Sequence, residues 1–351
     1  MVADDEAIGQ APRGRAIVAR LCLAGAILPV TLAFLQFRAG GGGSDFWSFW
    51  DAARASLEGQ HIYGSGQAFP YPPHSLFLFI PFGLMPFGWG LLLFNFAGIA
   101  FFAWTTKPYL PKGFPLVLAL CSPATLFSLY FGQTGLIVGG LWLLAFRGRW
   151  AAVAALTFKP HLGLLSVLAL KSWQEILRAG LLLMLLVVAS LLAFGAGAWV
   201  DFFGAAVRQA GTIGVRERWL VMGVSPAIGY GLWGWLAFAA AAGFLLSRNI
   251  NPFTAATAAL LISPYGFHYD MPVASFGLAI AIYCYWSRMG ALDRAALTCG
   301  FLVPVIVNVG TWWAPPLLLW ALRVQVGLPE RAAAEAKRDR VMRRPVAEQV
   351  R

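Results

Sequence analysis

The sequence predicts an all-α, polytopic integral membrane helical bundle of about ten to twelve transmembrane helices. Three observations predict it. Hydrophobic residues make up 59% of the chain and charged residues 12%, about half the charged share of a soluble domain. The apolar runs are long and continuous rather than alternating, which excludes barrel strands and leaves helices as the only way to satisfy the backbone in hydrocarbon. The ionisable residues cluster between those runs, and an excess of Lys and Arg marks the cytoplasmic loops. A length of 351 residues allows one integral bundle and no sizeable soluble domain.

The elements follow in order. Residues 1–15 read as a cytoplasmic segment, because Arg13, Arg15 and Arg20 border the first span at roughly 16–36. A cleaved signal peptide fits less well: Asp4, Asp5 and Glu6 occupy its basic region and no small-residue cleavage site follows. The loop 37–74 sets Arg38 and Arg54 against Asp45, Asp51 and Glu58, so it is slightly acidic and suits the outer side. Spans are then expected at 75–106, 114–131 and 134–146, with Lys107, Lys112, Arg147 and Arg149 inside and Gly132-Gln133-Thr134 as an outer turn. Lys171 and Arg178 also read as cytoplasmic. That makes 150–170 a pair of half-helices bent at Lys159-Pro160, since proline removes a helix hydrogen bond and clashes with the preceding turn. A single crossing is the alternative, and it inverts every later span. Those are 179–200, 224–246, 252–265, 271–287 and a stretch 295–325 that turns between Gly310 and Pro316.

Residues 16–325 thus form one membrane domain, and 326–351 a basic cytoplasmic tail. From Arg323 onward the chain holds eight basic and four acidic residues. Beside a membrane such a tail is a retention signal and an anionic-lipid contact, so membrane lipids are expected partners and nucleic acid is not. Cys22, Cys121, Cys284 and Cys299 lie in or beside apolar spans without a zinc or disulfide spacing. His61 and His74 border the outer loop, but no ligand spacing joins them to Asp45 and His268, so neither a metal nor another cofactor is expected.

Candidate site residues stand out by chemistry. Asp45 opens a polar loop that closes with Phe69-Pro70-Tyr71-Pro72-Pro73, so a carboxylate is held at the membrane surface by aromatic and proline residues. It is read as a catalytic group. The alternative is a helix N-cap, since Ser44-Asp45 precedes an interfacial run through Trp50. Asp51, six residues on, would lie on a different helical face and is read as structural or as a second acid. Lys159 lies in an apolar run, where a cation costs roughly 3 kcal/mol on insertion scales unless it faces a polar cavity or a partner. It either aims at a phosphate, snorkels, or pairs with Asp270. His268 and Asp270 orient an acceptor, tune Asp45 or bind phosphate, or else form a buried pair that holds the bundle. Gln133 bonds sugar hydroxyls or simply makes a tight turn. Tyr71 belongs to the site or to the interfacial aromatic belt. Arg208, Arg216 and Arg218 clamp phosphate or form a solvated face, the more ordinary reading. The Gly40–Gly43 run reads as a hinge for the acidic loop.

Four ordered blocks carry a resemblance. They are Asp45-Phe46 with Trp50, Ala52-Ala53, Leu57, Gly59 and Tyr63; Tyr71-Pro72-Pro73 leading to Pro81 and Met85-Pro86; Gly132-Gln133-Thr134-Gly135 followed by Lys159-Pro160-His161-Leu162-Gly163-Leu164-Leu165; and Ser263-Pro264-Tyr265-Gly266-Phe267-His268-Tyr269-Asp270. In this order they resemble the polyprenyl-phosphate-sugar-dependent glycosyltransferases of family 87, within the GT-C superfamily of multispanning enzymes. The resemblance implies transfer of a hexose, mannose ahead of other sugars, from a polyprenyl-phosphate donor to a lipid or glycan hydroxyl at the outer face of the plasma membrane. It places Asp45 at the loop acid that acts as general base; on their chemistry, Lys159 and His268 are read as stabilising the departing phosphate. A polyprenyl phosphate leaves as an anion, so one base and positive groups suffice, without a second carboxylate if a single displacement inverts the sugar. His268 departs from the family pattern, where an acidic residue is common, and His161 replaces a common Gln. Two other classes compete: a lipid-phosphate or solute transporter gated by a Lys159/Asp270 pair, and a catalytically idle assembly subunit.

Overall fold

The computed structural model describes residues 11–38, 43–63, 69–211 and 222–342. Those residues form helices and short 3-10 turns, with one isolated bridge between Gly223 and Phe267 and no strand among them. The all-α bundle is therefore as expected. Gly40 to Gly42, Arg216, Arg218 and the Arg343-Arg344 pair lie outside the described residues, as does the side chain of Arg208.

Helix α1 (Ala11–Arg38) carries the first apolar run and α2 (Ser44–Leu57) begins the outer loop. The expected single span 75–106 is instead two helices, α3 (Leu76–Gly83) and α4 (Phe87–Thr106). Pro86 is the cause: it takes an extended ψ of 142° as the N-cap of α4, and the freed carbonyl of Met85 accepts from Trp50 Nε1 at 2.9 Å. The expected span 114–131 is also divided, into α5 (Leu116–Leu120) and α6 (Pro123–Phe131). Ser122 caps the second piece, its Oγ accepting from Thr125 N at 3.2 Å, and Pro123 takes the first helical position, which lacks an intrahelical N–H partner anyway.

After the turn at Gly132, α7 (Gly135–Ala145) leads to α8 (Trp150–Ala155) and α9 (Pro160–Gly163). Between these two, Lys159 leaves the helical region with φ −127° and ψ 69°. The chain then doubles back, so closely that a Cβ on Gly163 would lie 2.6 Å from the Leu156 carbonyl oxygen. In a continuous helix residues seven apart are separated by about 10 Å along the axis. Residues 150–170 are thus broken at Lys159 into short helical pieces that turn tightly there, at the Lys159-Pro160 bend read from the sequence. Helix α10 (Trp173–Gly211) follows, with Gly195 out of helical geometry, then α11 (Pro226–Arg248), interrupted at Gly231. The chain continues through α12 (Pro252–Ile262), α13 (Pro272–Tyr285) and α14 (Ala291–Ile306). The final apolar stretch turns where expected, through a 3-10 turn Thr311–Trp313, into α15 (Ala314–Met342), which continues as helix into the segment read as a tail.

Among the described residues four helical stretches are long and apolar enough to cross a membrane alone: Arg13–Gln36, Phe87–Tyr109, Trp173–Val207 and Pro226–Arg248. The shorter elements pack among them around α13, which is buried along nearly its whole length and apolar on every face, as a central helix must be. Cross-chain contacts define one end of the bundle. A Cβ on Gly14 would touch the Tyr283 backbone, Tyr283 OH donates to Lys112 O at 3.1 Å, Tyr109 OH to Leu143 O at 2.8 Å and Trp142 Nε1 to Pro252 O at 2.8 Å. These bonds collect Arg15, Lys107, Lys112 and Arg147 at that end. Asp45 and Gln133 lie at the other.

Candidate functional site

Asp45 sits in the first turn of α2, whose N-cap is Gly43 with a left-handed φ of 63°. No side-chain cap bond is made there, so the Asp45 carboxylate does not serve as a helix cap. It faces the turn after α6 instead. Gln133 Nε2 donates to Asp45 Oδ2 at 2.7 Å, and Ser44 Oγ donates to Oδ1 at 3.2 Å. Two glycines permit this approach. Gly132 ends α6 with φ 65°, and a Cβ there would lie 2.6 Å from Phe46 Cβ, while one on Gly43 would lie 2.6 Å from Leu91 Cδ2. Both positions need the conformational freedom of glycine as well as its size.

Behind Gln133 stands Tyr71. Its hydroxyl donates to Gln133 Oε1 at 3.4 Å and lies 3.0 Å from Thr134 Oγ1. The Tyr71 ring is stacked with Phe79 at 6.1 Å and 8° and with Phe49 at 5.3 Å and 30°. On its far side is Lys159, with Nζ 5.6 Å from the ring centroids of both Tyr71 and Tyr269, a cation between two π faces. Lys159 Nζ also donates to Asp270 Oδ1 at 2.5 Å, with the two side chains 4% and 0% exposed. The second Asp270 oxygen accepts from Phe267 N at 3.1 Å, so the anion is hydrogen-bonded on both sides. Both the hairpin tip and the 268–270 turn are held close to α7. A Cβ on Gly135 would fall 1.9 Å from the Tyr269 carbonyl oxygen, so only glycine fits there.

His268 is wholly buried, with its ring edge-on to Phe127 at 4.3 Å and 83°. Its Nδ1 lies 3.2 Å from the Met222 carbonyl, which can only accept, so Nδ1 carries the proton and Nε2 presents a lone pair without a partner among the described residues. Asp51 is half-buried on α2 and makes no hydrogen bond or ion pair with described residues. His74 packs flat on Trp199 at 5.8 Å and 13°, its Nε2 3.2 Å from Thr157 Oγ1 near the hairpin tip. His61 instead pairs with Asp201 at 3.3 Å on the surface.

The structure therefore brings Asp45, Gln133, Tyr71, Lys159 and Asp270 into one connected constellation, with His268 beside it and Asp51 apart. Thr134 and Ser44 also bond into it. They were legible as polar neighbours of Gln133 and Asp45, but nothing in their spacing assigned them partners. Burial raises the Asp45 pKa above the ordinary carboxylate range; the Gln133 and Ser44 hydrogen bonds and the Lys159 charge pull it back down, and Asp270 pushes it up.

A many-helix bundle in which a partly buried acid is linked through Gln133 and Tyr71 to a buried lysine is a candidate functional site. The model for glycosyltransferase family 87 matches residues 69–308, and the chain belongs to that family. It is a membrane glycosyltransferase. The matched segment contains Tyr71, Gln133, Lys159, His268 and Asp270, and Asp45 and Asp51 precede it. No curated protein and no solved structure matches the chain.

Proposed function

We propose that this glycosyltransferase moves a hexose from a polyprenyl-phosphate donor to a hydroxyl of a lipid or glycan acceptor at the outer face of the plasma membrane, with Asp45 as general base. Mannose is favoured among hexoses by the family resemblance. The carrying observation is that a partly buried carboxylate and a buried ammonium face one another across Gln133 and Tyr71 at the end of the bundle opposite its basic loops. The positive-inside rule supports placing that end outside.

In this reading Asp45 takes the proton as the acceptor oxygen forms its bond to the anomeric carbon, and the bond from that carbon to the phosphate oxygen breaks. The polyprenyl phosphate departs as an anion beside Lys159, whose three N–H bonds allow it to keep Asp270 while donating to phosphate. The wholly buried His268 has its Nδ1 facing the Met222 carbonyl, so in this reading the positive charge at the phosphate comes from Lys159. Asp270 holds Lys159 in place and Tyr71 walls the space between base and cation. Asp51, which makes no hydrogen bond or ion pair with the described residues, is given no step. Membership of a glycosyltransferase family favours transfer over the transporter reading of the Lys159–Asp270 pair.

The test is transfer of radiolabelled sugar from a panel of polyprenyl-phosphate hexoses, in nanodiscs with membrane-lipid extract, by wild type and Asp45→Asn. Wild-type transfer lost by at least a hundredfold in a folded Asp45→Asn protein is expected, on the order of general-base effects. The acid limb of the wild-type rate profile should lie above the usual carboxylate range: the base works only when ionised, and burial delays ionisation to higher pH. Undiminished transfer by Asp45→Asn would place the base elsewhere.

A further inference from the structure

We infer that Gln133 is a positioning residue that occupies Asp45 Oδ2 and leaves Oδ1 as the atom that receives the acceptor proton; this rests on the reading of Asp45 as base. Carbonyl oxygen and amide nitrogen of a glutamine are interchangeable in shape, so their assignment must come from partners. Here the partner decides. The Thr134 backbone N–H can only donate, and it points at the Gln133 side-chain atom 3.2 Å away, which is therefore the oxygen Oε1. Tyr71 OH donates to the same oxygen at 3.4 Å. Nε2 is consequently turned to Asp45, and its 2.7 Å bond has the length of a charge-assisted one.

The two carboxylate oxygens are thereby made unequal. Oδ2 is gripped by an amide that is itself 7% exposed and fixed from behind by two donors. Among the described residues Oδ1 meets only the rotatable hydroxyl of exposed Ser44 at 3.2 Å, a partner that an incoming acceptor hydroxyl displaces without disturbing the fold. Gln133 was also a candidate ligand for sugar hydroxyls. Its oxygen already has two donors and one of its two N–H bonds is committed to Asp45, so the geometry points to the base rather than to the sugar.

The experiment measures kcat and donor KM against pH for wild type, Gln133→Ala and Gln133→Glu, with Asp45→Asn as the reference. Positioning requires that Gln133→Ala lower kcat at neutral pH by about tenfold, within the range of acid–base effects. Its acid limb should move to higher pH, because a hydrogen bond to the ionised form has been removed, while donor KM stays within about twofold. The isosteric Gln133→Glu guards against misfolding of the alanine variant. It should move the limb further in the same direction, since two adjacent carboxyls resist double ionisation. A raised donor KM with an unmoved acid limb would make Gln133 a sugar ligand, and an unmoved limb with unchanged KM would make it a spectator; either overturns the inference while an inactive Asp45→Asn leaves the base in place. Full transfer by Asp45→Asn would overturn the base reading and this inference together.

Discussion

Two apolar regions hold this bundle, and they use different residues. Beneath Asp45, Phe46, Phe49, Phe69, Tyr71, Phe79 and Phe94 interlock by ring contacts, with Phe49 on Phe79 at 4.7 Å and 25° and Phe46 on Phe94 at 5.1 Å and 38°. Around α13 the core is instead rich in alanine and branched aliphatics, with Ala255, Ala258 and Ala259 of α12 and Ala274, Ala279 and Ala281 of α13 all buried in it. Gly277 there lies so near Phe253 that a Cβ would come within 2.4 Å of Phe253 Cβ. Small residues let long helix backbones approach closely, the means by which helices associate where surrounding lipid is as apolar as the core. The site end has short helices and proline turns that cannot pack along their length. Large rings supply the area and the fixed orientation that such pieces lack.

Three substitutions test that contrast. The largest effect is expected from Lys159→Met, which leaves Asp270 as an uncompensated buried charge where the two regions meet. Thermal unfolding in detergent should show a loss of about 3–5 kcal/mol, and transfer should vanish. Adding Asp270→Leu should recover most of the stability and none of the activity; recovery of activity would remove Lys159 from the chemistry. Next comes Phe49→Ala. The cavity costs about 3–5 kcal/mol, yet if the aromatic region is a separate unit the loss should concentrate in faster hydrogen exchange across 44–79, with exchange in α13 unchanged. A uniform rise over both regions would show one cooperative core. The smallest effect is assigned to Gly277→Ala, where overpacking of about 1–3 kcal/mol should lower the melting temperature while turnover per folded molecule stays the same. A specific loss of turnover would mean that packing around α13 sets the geometry of the site.

Much of the fold was legible because charge and proline speak directly to topology. Lys159-Pro160 marked the bend in 150–170, and the chain breaks and turns there. The divided spans could not be read this way. Pro81 is accommodated inside α3 whereas Pro86 stands at the N-cap of α4, and the Met85 carbonyl beside it is taken up by Trp50, a contact 35 residues away in sequence that no local pattern encodes. The same limit applies to the site. Asp45, Lys159 and Asp270 announced themselves as ionisable groups in apolar or aromatic surroundings. Their pairing did not, because the Gln133 contact depends on Gly43 and Gly132 bringing α2 against the end of α6. A cap remained the alternative reading of Asp45 until the geometry of Gly43 showed where the helix begins.

The Lys159–Asp270 bond spans 111 residues, and that separation has a temporal meaning. A ribosome adding about 5–20 residues per second makes the hairpin tip several seconds before it makes the anion that neutralises it. During that interval the lysine stands in a nascent membrane hairpin with no permanent counter-charge, and the half-helices on either side are too short to anchor it by themselves. The centre of the site therefore cannot close until the chain has been made as far as Asp270, while α13, α14 and α15 are still to follow.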